Sequence, residues 1–351
     1  YSAVYRRPAQ IAVGRRRGGG EPPSAMTPAQ EPDRQRKIER GSALDATVVE
    51  RVVSLIPHRR SQPTKQESMP RPVSPQAFLD TIVPVVRQCA EASLTFHGNV
   101  VDIGKSADRS LTGKKAQTAS AALTVLDGAF QDLILGAVYA RFPHLRCIAE
   151  EKTAMRQAFA GNEGDDVVIL DPIDGTLHFQ KGDAPYHISI GLCRRGQMIA
   201  AAVARPTEDK LFTAIRGRGA WRQIGTSKER QLRVPRKPRT RKAFISSKAR
   251  PFQKPACERL DPQEYPIGAA LVLTQLAEGD LAAYLTRQVE TYDVGPPSLI
   301  AEEAGVRCML GDGRPPQYDR RQKFPYYLAA ASPELCAFLL SVRRKAAGEA
   351  S

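Results

Sequence analysis

The stretch Ile169-Leu170-Asp171-Pro172-Ile173-Asp174-Gly175-Thr176 constrains this chain more than any other. Its apolar run reads as a strand that delivers two acids, three residues apart, just before a Gly-Thr pair. Pro172 lacks the N–H that a regular ladder needs, so a turn is expected there, aiming both carboxylates into one pocket. A helix starting at Gly175-Thr176 would offer its first N–H groups to a phosphate oxygen. Oxygen ligands at this spacing suit a hard cation such as Mg²⁺ or Mn²⁺, not zinc. Glu150-Glu151 closes another expected strand, and Asp293 stands at a strand-to-helix junction. Taken singly, a Glu-Glu pair reads as a solvated face and an Asp before a helix as an N-cap. Taken together, acids set in apolar turns repel one another unless cations hold them.

The surrounding pattern is that of a mixed α/β body. Ser74-Pro75 is a cap followed by proline in the first turn. Phe78, Ile82, Val85, Val86 and Cys89 then line one helical face, with a kink expected at Pro84. Residues 98–122 read as a loop, and 123–141 as a second amphipathic helix. Short apolar runs follow at 146–149, 166–170, 187–193, 198–204 and 210–215, separated by turns such as Arg195-Gly196, so this part is strand-rich. Beyond it come a strand at 243–246, a helix at 268–278, a strand at 281–285 and a helix from about Pro296 to Ala304, just past Asp293.

Charge divides the chain further. The net charge is +15. Residues 1–74 hold fourteen Lys/Arg against seven Asp/Glu, and residues 222–242 hold nine against one, which together account for the whole excess. The first segment carries nine prolines and five glycines and few large apolar residues, so it reads as an extension unable to fold alone. Within it Leu44, Val48, Val52, Leu55 and Ile56 recur at helical spacing, a docking helix near 42–56. A body is expected from 75 to 340, in halves of about 75–225 and 243–340, then a basic tail at 341–351. The chain opens at Tyr1 and runs through Arg6, Arg7, Arg15, Arg16 and Arg17 with no acid before Glu21. That reads as the product of a cleaved organellar presequence, mitochondrial before plastid or cytoplasmic, or as a piece of a longer sequence. The six cysteines lie far apart and form no C-x-x-C pair, so buried reduced thiols are expected. No apolar run approaches the roughly 18 residues of a membrane span.

Asp-Pro-Ile-Asp-Gly-Thr, preceded by Glu150-Glu151 and followed by Tyr292-Asp293 and Glu303-Ala304-Gly305, resembles the inositol monophosphatase family of Mg²⁺-dependent, lithium-sensitive phosphatases. That family also embraces 3′-phosphoadenosine 5′-phosphate and histidinol-phosphate phosphatases. The resemblance covers roughly residues 75–340. It includes Leu123-Thr124-Val125-Leu126-Asp127, Phe142-Pro143, Ser189-Ile190-Gly191 and Gly217-Arg218-Gly219-Ala220-Trp221. It implies an α+β or α/β fold, a layered αβαβα sandwich of the sugar-phosphatase type, often dimeric. It further implies two or three Mg²⁺ ions held by Glu150, Asp171, Asp174, Asp293 and the Ile173 carbonyl. Thr176, paired with Asp127 and helped by Glu150 or Glu151, would orient the attacking water, and the N–H groups of Gly175 and Thr176 would hold the phosphate. Ions about 3.5–4 Å apart can acidify water and stabilise both oxygens of an in-line displacement.

The chain departs from the family on the substrate side. Tyr292 replaces the usual Trp, and Gly295-Pro296-Pro297 replaces small residues. Gly268-Ala269 replaces Gly-Ser, Val272 a lysine and Thr286 a glutamate, and the stretch between Lys248 and Gly268 is short enough for a helix to be missing. A small sugar- or nucleotide-phosphate is therefore expected as substrate rather than inositol phosphate. A rival expectation rests on charge. Arg233, Arg236, Lys237, Arg239, Arg241 and Lys242, with the basic extension, suit RNA contact within an organellar ribonucleoprotein such as the mitochondrial ribosome, with activity retained or lost.

Overall fold

The computed structural model describes residues 72–99, 125–263 and 268–346. The extension to residue 71 with its docking helix, most of the expected loop, and Leu123 and Thr124 lie outside the described residues. Ser74 caps α1 (Pro75–Phe96), its hydroxyl accepting from the Ala77 N–H. The helix runs on through Pro84 and buries Phe78, Ile82, Val86 and Cys89. Helix α2 (Val125–Arg141) packs beside it.

A seven-stranded sheet follows, in the order β1 (Arg146–Ala149), β2 (Asp166–Asp174), β3 (His187–Arg194), β4 (Gln197–Arg205), β5 (Lys210–Ile215), β6 (Gly219–Ile224) and β7 (Arg230–Leu232). Only β1 and β2 are parallel; the rest is an antiparallel meander, the arrangement that short turns permit. Short helices α3 (Ala154–Ala158) and α4 (Thr176–Lys181) flank β2. The second sheet is built from β8 (Lys242–Ile245), β9 (Asp261–Gln263), β10 (Ala283–Thr286), β12 (Arg307–Leu310) and β14 (Tyr327–Ala330), in the order β12-β14-β10-β8-β9. Strands β11 (Val289–Glu290) and β13 (Lys323–Phe324) form a separate pair. Between the two large sheets lie α6 (Ala269–Glu278) and α7 (Thr291–Glu303); α5 (Gln253–Ala256) and α8 (Pro333–Ala346) cover the outer face of the second sheet. The expected αβαβα layering is what is found. Val342 is buried on α8, so residues 341–346 are the end of a helix rather than a tail.

Three local expectations are corrected. Pro172 does not turn the chain: β2 runs on to Asp174, and the missing N–H is absorbed as a register shift against β3 between Asp171 and Asp174. Helix α7 starts at Thr291, so Asp293 is its third residue and Pro296-Pro297 fall in its second turn. Those prolines cannot donate to the Tyr292 and Asp293 carbonyls, yet the helix continues because ten of its residues are buried and tertiary packing outweighs propensity. Cys257 is exposed, whereas Cys89, Cys193, Cys308 and Cys336 are buried, and all six thiols are free. Among the described residues no helix is long and apolar enough to cross a membrane.

One feature of the interior has no counterpart in the sequence reading. Arg205, at the end of β4, is 2% exposed. It donates to Glu278 at 3.2 Å, Glu208 at 3.0 Å, the Thr274 hydroxyl at 2.6 Å and His187 Nε2 at 3.1 Å. Glu278, at the last turn of α6, also receives Lys210 at 3.0 Å and Arg222 at 2.7 Å. Burying a charge is costly unless it is paired and hydrogen-bonded; Arg205 and Glu278 are paired in this way, while Arg222 Nε and His187 Nδ1 are buried without a hydrogen-bond partner.

Candidate active site

Strand β2 carries Ile169 and Leu170 into the core, each fully buried and worth about 1.5–3 kcal/mol on transfer from water. That burial fixes where the next residues emerge. Asp171 is 2% exposed, and its Oδ1 accepts the Ile173 N–H at 3.2 Å. After the bulge, Asp174 Oδ2 accepts the Ala270 N–H at 2.7 Å, at the first turn of α6. The Asp174 carboxylate rests directly on the Cα of Gly268, where any Cβ would collide with both of its oxygens. Gly175 then takes φ +94°, a conformation that favours glycine, and swings the chain into α4. The Thr176 hydroxyl lies 3.1 Å from Asp127 Oδ1 and 3.0 Å from the Ile173 carbonyl, so its single proton serves either acceptor. Asp127 is fully buried on α2.

Glu150 follows β1, its N–H donating to the Leu170 carbonyl at 3.2 Å, which sets it beside the end of β2. Its carboxyl reaches hydrogen-bonding range of Asp171. Asp293 faces the same cluster from α7: its Oδ2 accepts the Glu290 N–H at 3.0 Å in a reciprocal capping box. The structure thus brings Glu150, Asp171, Asp174 and Asp293 together from three separate segments, with the Thr176–Asp127 pair adjoining. Glu151 sits on the same turn as Glu150, and its backbone N–H and C=O are both held by the Gln131 amide at 2.9 Å.

Electrostatics mark the cluster as unstable without compensation. Burial, then the charges of Glu150, Asp174 and Asp293, push Asp171 well above the carboxylate range. Burial pushes Asp174 up to about 7, against the pull of the Ala270 N–H. Burial and the charges of Asp174 and Glu150 raise Asp293. Carboxylates so arranged must share protons or hold cations, and an oxygen-only donor set fits a hard divalent ion. As the side chains stand, no three acidic, imidazole or thiol groups among the described residues enclose one point. Asp174 and Asp293 each commit an oxygen to a backbone N–H instead.

Several contributors were missed in the sequence. Gln131 lies four residues after Asp127 on the same face of α2, so helical spacing was a usable signal. Arg321 offered none: it donates to the Ala149 carbonyl at 2.8 Å and the Glu150 carbonyl at 3.4 Å, and its guanidinium lies 5.0 Å from the centre of the Tyr292 ring. Conversely, Arg233, Arg236, Lys237, Arg239, Arg241 and Lys242 are exposed and take no part in the carboxylate cluster, while Arg222 is drawn inward to Glu278.

Comparison with known proteins agrees with the fold and the motif. Residues 85–346 match the model of the inositol monophosphatase family. Human inositol monophosphatase 2 is 30% identical over 229 residues, covering 60% of this chain and 77% of that protein. The Nus factor SuhB of Pasteurella multocida is 28% identical over 198 residues, covering 52% of this chain and 69% of that protein. Among solved structures, an IMPase from Thermotoga maritima covers 77% of this chain and 98% of its own at a TM-score of 0.62 and 19% identity, a likeness of fold. With the match spanning most of the chain, this protein belongs to the inositol monophosphatase family.

Proposed function

We propose that the chain is a Mg²⁺-dependent phosphomonoesterase acting on a small sugar- or nucleotide-phosphate. One observation carries the reading: four carboxylates from three segments, Glu150, Asp171, Asp174 and Asp293, converge beside the buried Thr176–Asp127 pair. These acids, with the Ile173 carbonyl, would hold two or three divalent ions. Such ions, when bound, lower the pKa of a coordinated water and neutralise phosphate charge. The remaining work falls to the chain itself. When Thr176 donates to Asp127, its oxygen is left as acceptor for a proton of the attacking water, and Glu150 or Glu151 completes that water's orientation. The N–H groups of Gly175 and Thr176 would steady the phosphate. Thr286, where inositol-specific relatives carry an acid, spends its hydroxyl on Ser246 at 2.8 Å, which argues against recognition of a polyol ring.

Asp171→Asn tests the reading. Hydrolysis of a generic phosphate ester with Mg²⁺ should vanish while thermal unfolding remains cooperative. Wild-type protein inert towards a panel of sugar and nucleotide monophosphates would remove it.

A second reading, supported by the exposed basic residues 233–242 and the net charge of +15, is an architectural, RNA-contacting subunit of an organellar ribonucleoprotein such as the mitochondrial ribosome, and matched relatives that carry the name Nus factor SuhB are consistent with a role besides hydrolysis. A free homodimer in the mitochondrion is the corresponding state for the enzyme. Sedimentation of native protein at physiological salt separates them: a small free species defeats the subunit reading.

A further inference from the structure

The chain that crosses from the first large sheet to the second is held firmly at its apolar positions. Leu232 is buried in the main core, and Val234 packs against that core while its N–H donates to the Ala304 carbonyl at 2.7 Å. Lys242 already belongs to β8, so both ends are tied to sheets. Around these anchors Arg230, Arg233, Arg236, Lys237, Arg239, Arg241 and Lys242 are all exposed, and Pro235 and Pro238 restrict the backbone between them. Opposing charge is slight. Glu229 precedes the run, and Asp261 lies 3.5 Å from Arg241 with both side chains 59% exposed, a pairing worth little in water.

We infer that this ridge binds the phosphodiester backbone of a nucleic acid. Seven cations lie in thirteen residues whose two ends are strands and whose middle bends at Arg236, Lys237 and Arg239, a chain of at most about 40 Å that sets its charges one after another as a long polyanion, rather than a small ester, would meet them. The ridge is not helical and carries no Trp, Phe or Leu on its outer side, so it lacks the apolar face that inserts into a membrane interface. It also lacks interleaved aromatic rings, so bases are not stacked on it and contact is with the backbone, blind to sequence. Its β7 end lies five strands from β2, about 24 Å across the sheet, so binding does not depend on the hydrolase reading.

The test uses the full chain with a 20-bp RNA duplex, a DNA duplex of the same sequence and phosphatidylserine vesicles, read by anisotropy and flotation between 50 and 200 mM NaCl. Replacing three cations together (Arg236→Gln, Lys237→Gln, Arg239→Gln) should flatten the slope of log affinity against log salt by about 2.7. The wild-type advantage over this variant should accordingly shrink about 40-fold across that salt range. Asp171→Asn should bind as wild type does, which separates this inference from loss of hydrolysis. Binding to either duplex supports a phosphodiester ligand, and a preference for one names its source, whereas equal binding assigns the ridge to the backbone shared by both. The charge-reversing set Arg236→Glu, Lys237→Glu, Arg239→Glu should weaken binding further with unchanged thermal unfolding. Identical slopes for wild type and the glutamine variant, or binding to vesicles alone, overturns the assignment.

Discussion

The seat of Asp174 on Gly268 can be tested with a single methyl group. Gly268 has φ −70° and ψ 159°, values any residue adopts, so Gly268→Ala adds no backbone strain. What it adds is a Cβ where the Asp174 carboxylate now lies. The carboxylate must move, and its 2.7 Å bond from the Ala270 N–H goes with it. A hydrogen bond to a charged group contributes about 1.5–3 kcal/mol. Against this, replacing glycine restrains the unfolded chain and stabilises by about 0.4–1 kcal/mol. The net cost is about 1.5 kcal/mol, a fall in Tm of about 3–6 °C for a body of this size. Phosphatase activity should drop far more than stability, because Asp174 is one of the acids that would grip the cation. A thermal melt and a Mg²⁺ titration of activity read the two effects. The double variant Gly268→Ala/Asp174→Ala isolates the contact: with the carboxylate gone, the methyl group should cost nothing further. A Gly268→Ala protein with wild-type melting and full activity would refute the reasoning.

Other substitutions probe the supports. Arg321→Gln releases the carbonyls of Ala149 and Glu150, and the Mg²⁺ concentration for half-maximal activity should rise about 10- to 100-fold with the maximal rate largely retained. An unchanged Mg²⁺ requirement would relegate Arg321 to surface packing. His187 is held neutral in the fold, its pKa lowered by burial and then by Arg205 and Lys210. Because the unfolded chain takes up that proton near pH 6.5 and the folded one does not, the contribution is complete above that pH and is lost at about 1.4 kcal/mol per unit below it. Urea titrations from pH 7.5 to 5 should show this slope in wild type and a shallower one in His187→Gln.

Much of the architecture was legible because burial and pattern coincide. Arg146 to Ala149 and Lys210 to Ile215 are strands at the expected residues, and Ser74-Pro75 starts α1 where a cap and a first-turn proline should. The acids were legible as a set because their motifs are local. Their support was not, since it depends on residues remote in sequence: Arg321 reaches Glu150 across more than 170 positions. Propensity misled at α7, where packing of Val294 to Ala301 between two sheets overrides two consecutive prolines. Net charge misled at Arg222, which counts towards a basic stretch in the sequence but faces Glu278 in the fold.

Helix α6 is fastened to the seven-stranded sheet at both ends: Asp174 grips its first turn, and three basic side chains grip Glu278 in its last. Ala270 and Glu278 are about 12 Å apart along the axis, with Thr274 tied to Arg205 between them. A rod pinned at two points cannot slide along its bed or swing about one end. The Ala270 N–H and the Asp174 carboxylate are therefore carried on one unit, helix and seven-stranded sheet together, and any shift of α6 along that sheet has to break contacts at both of its ends.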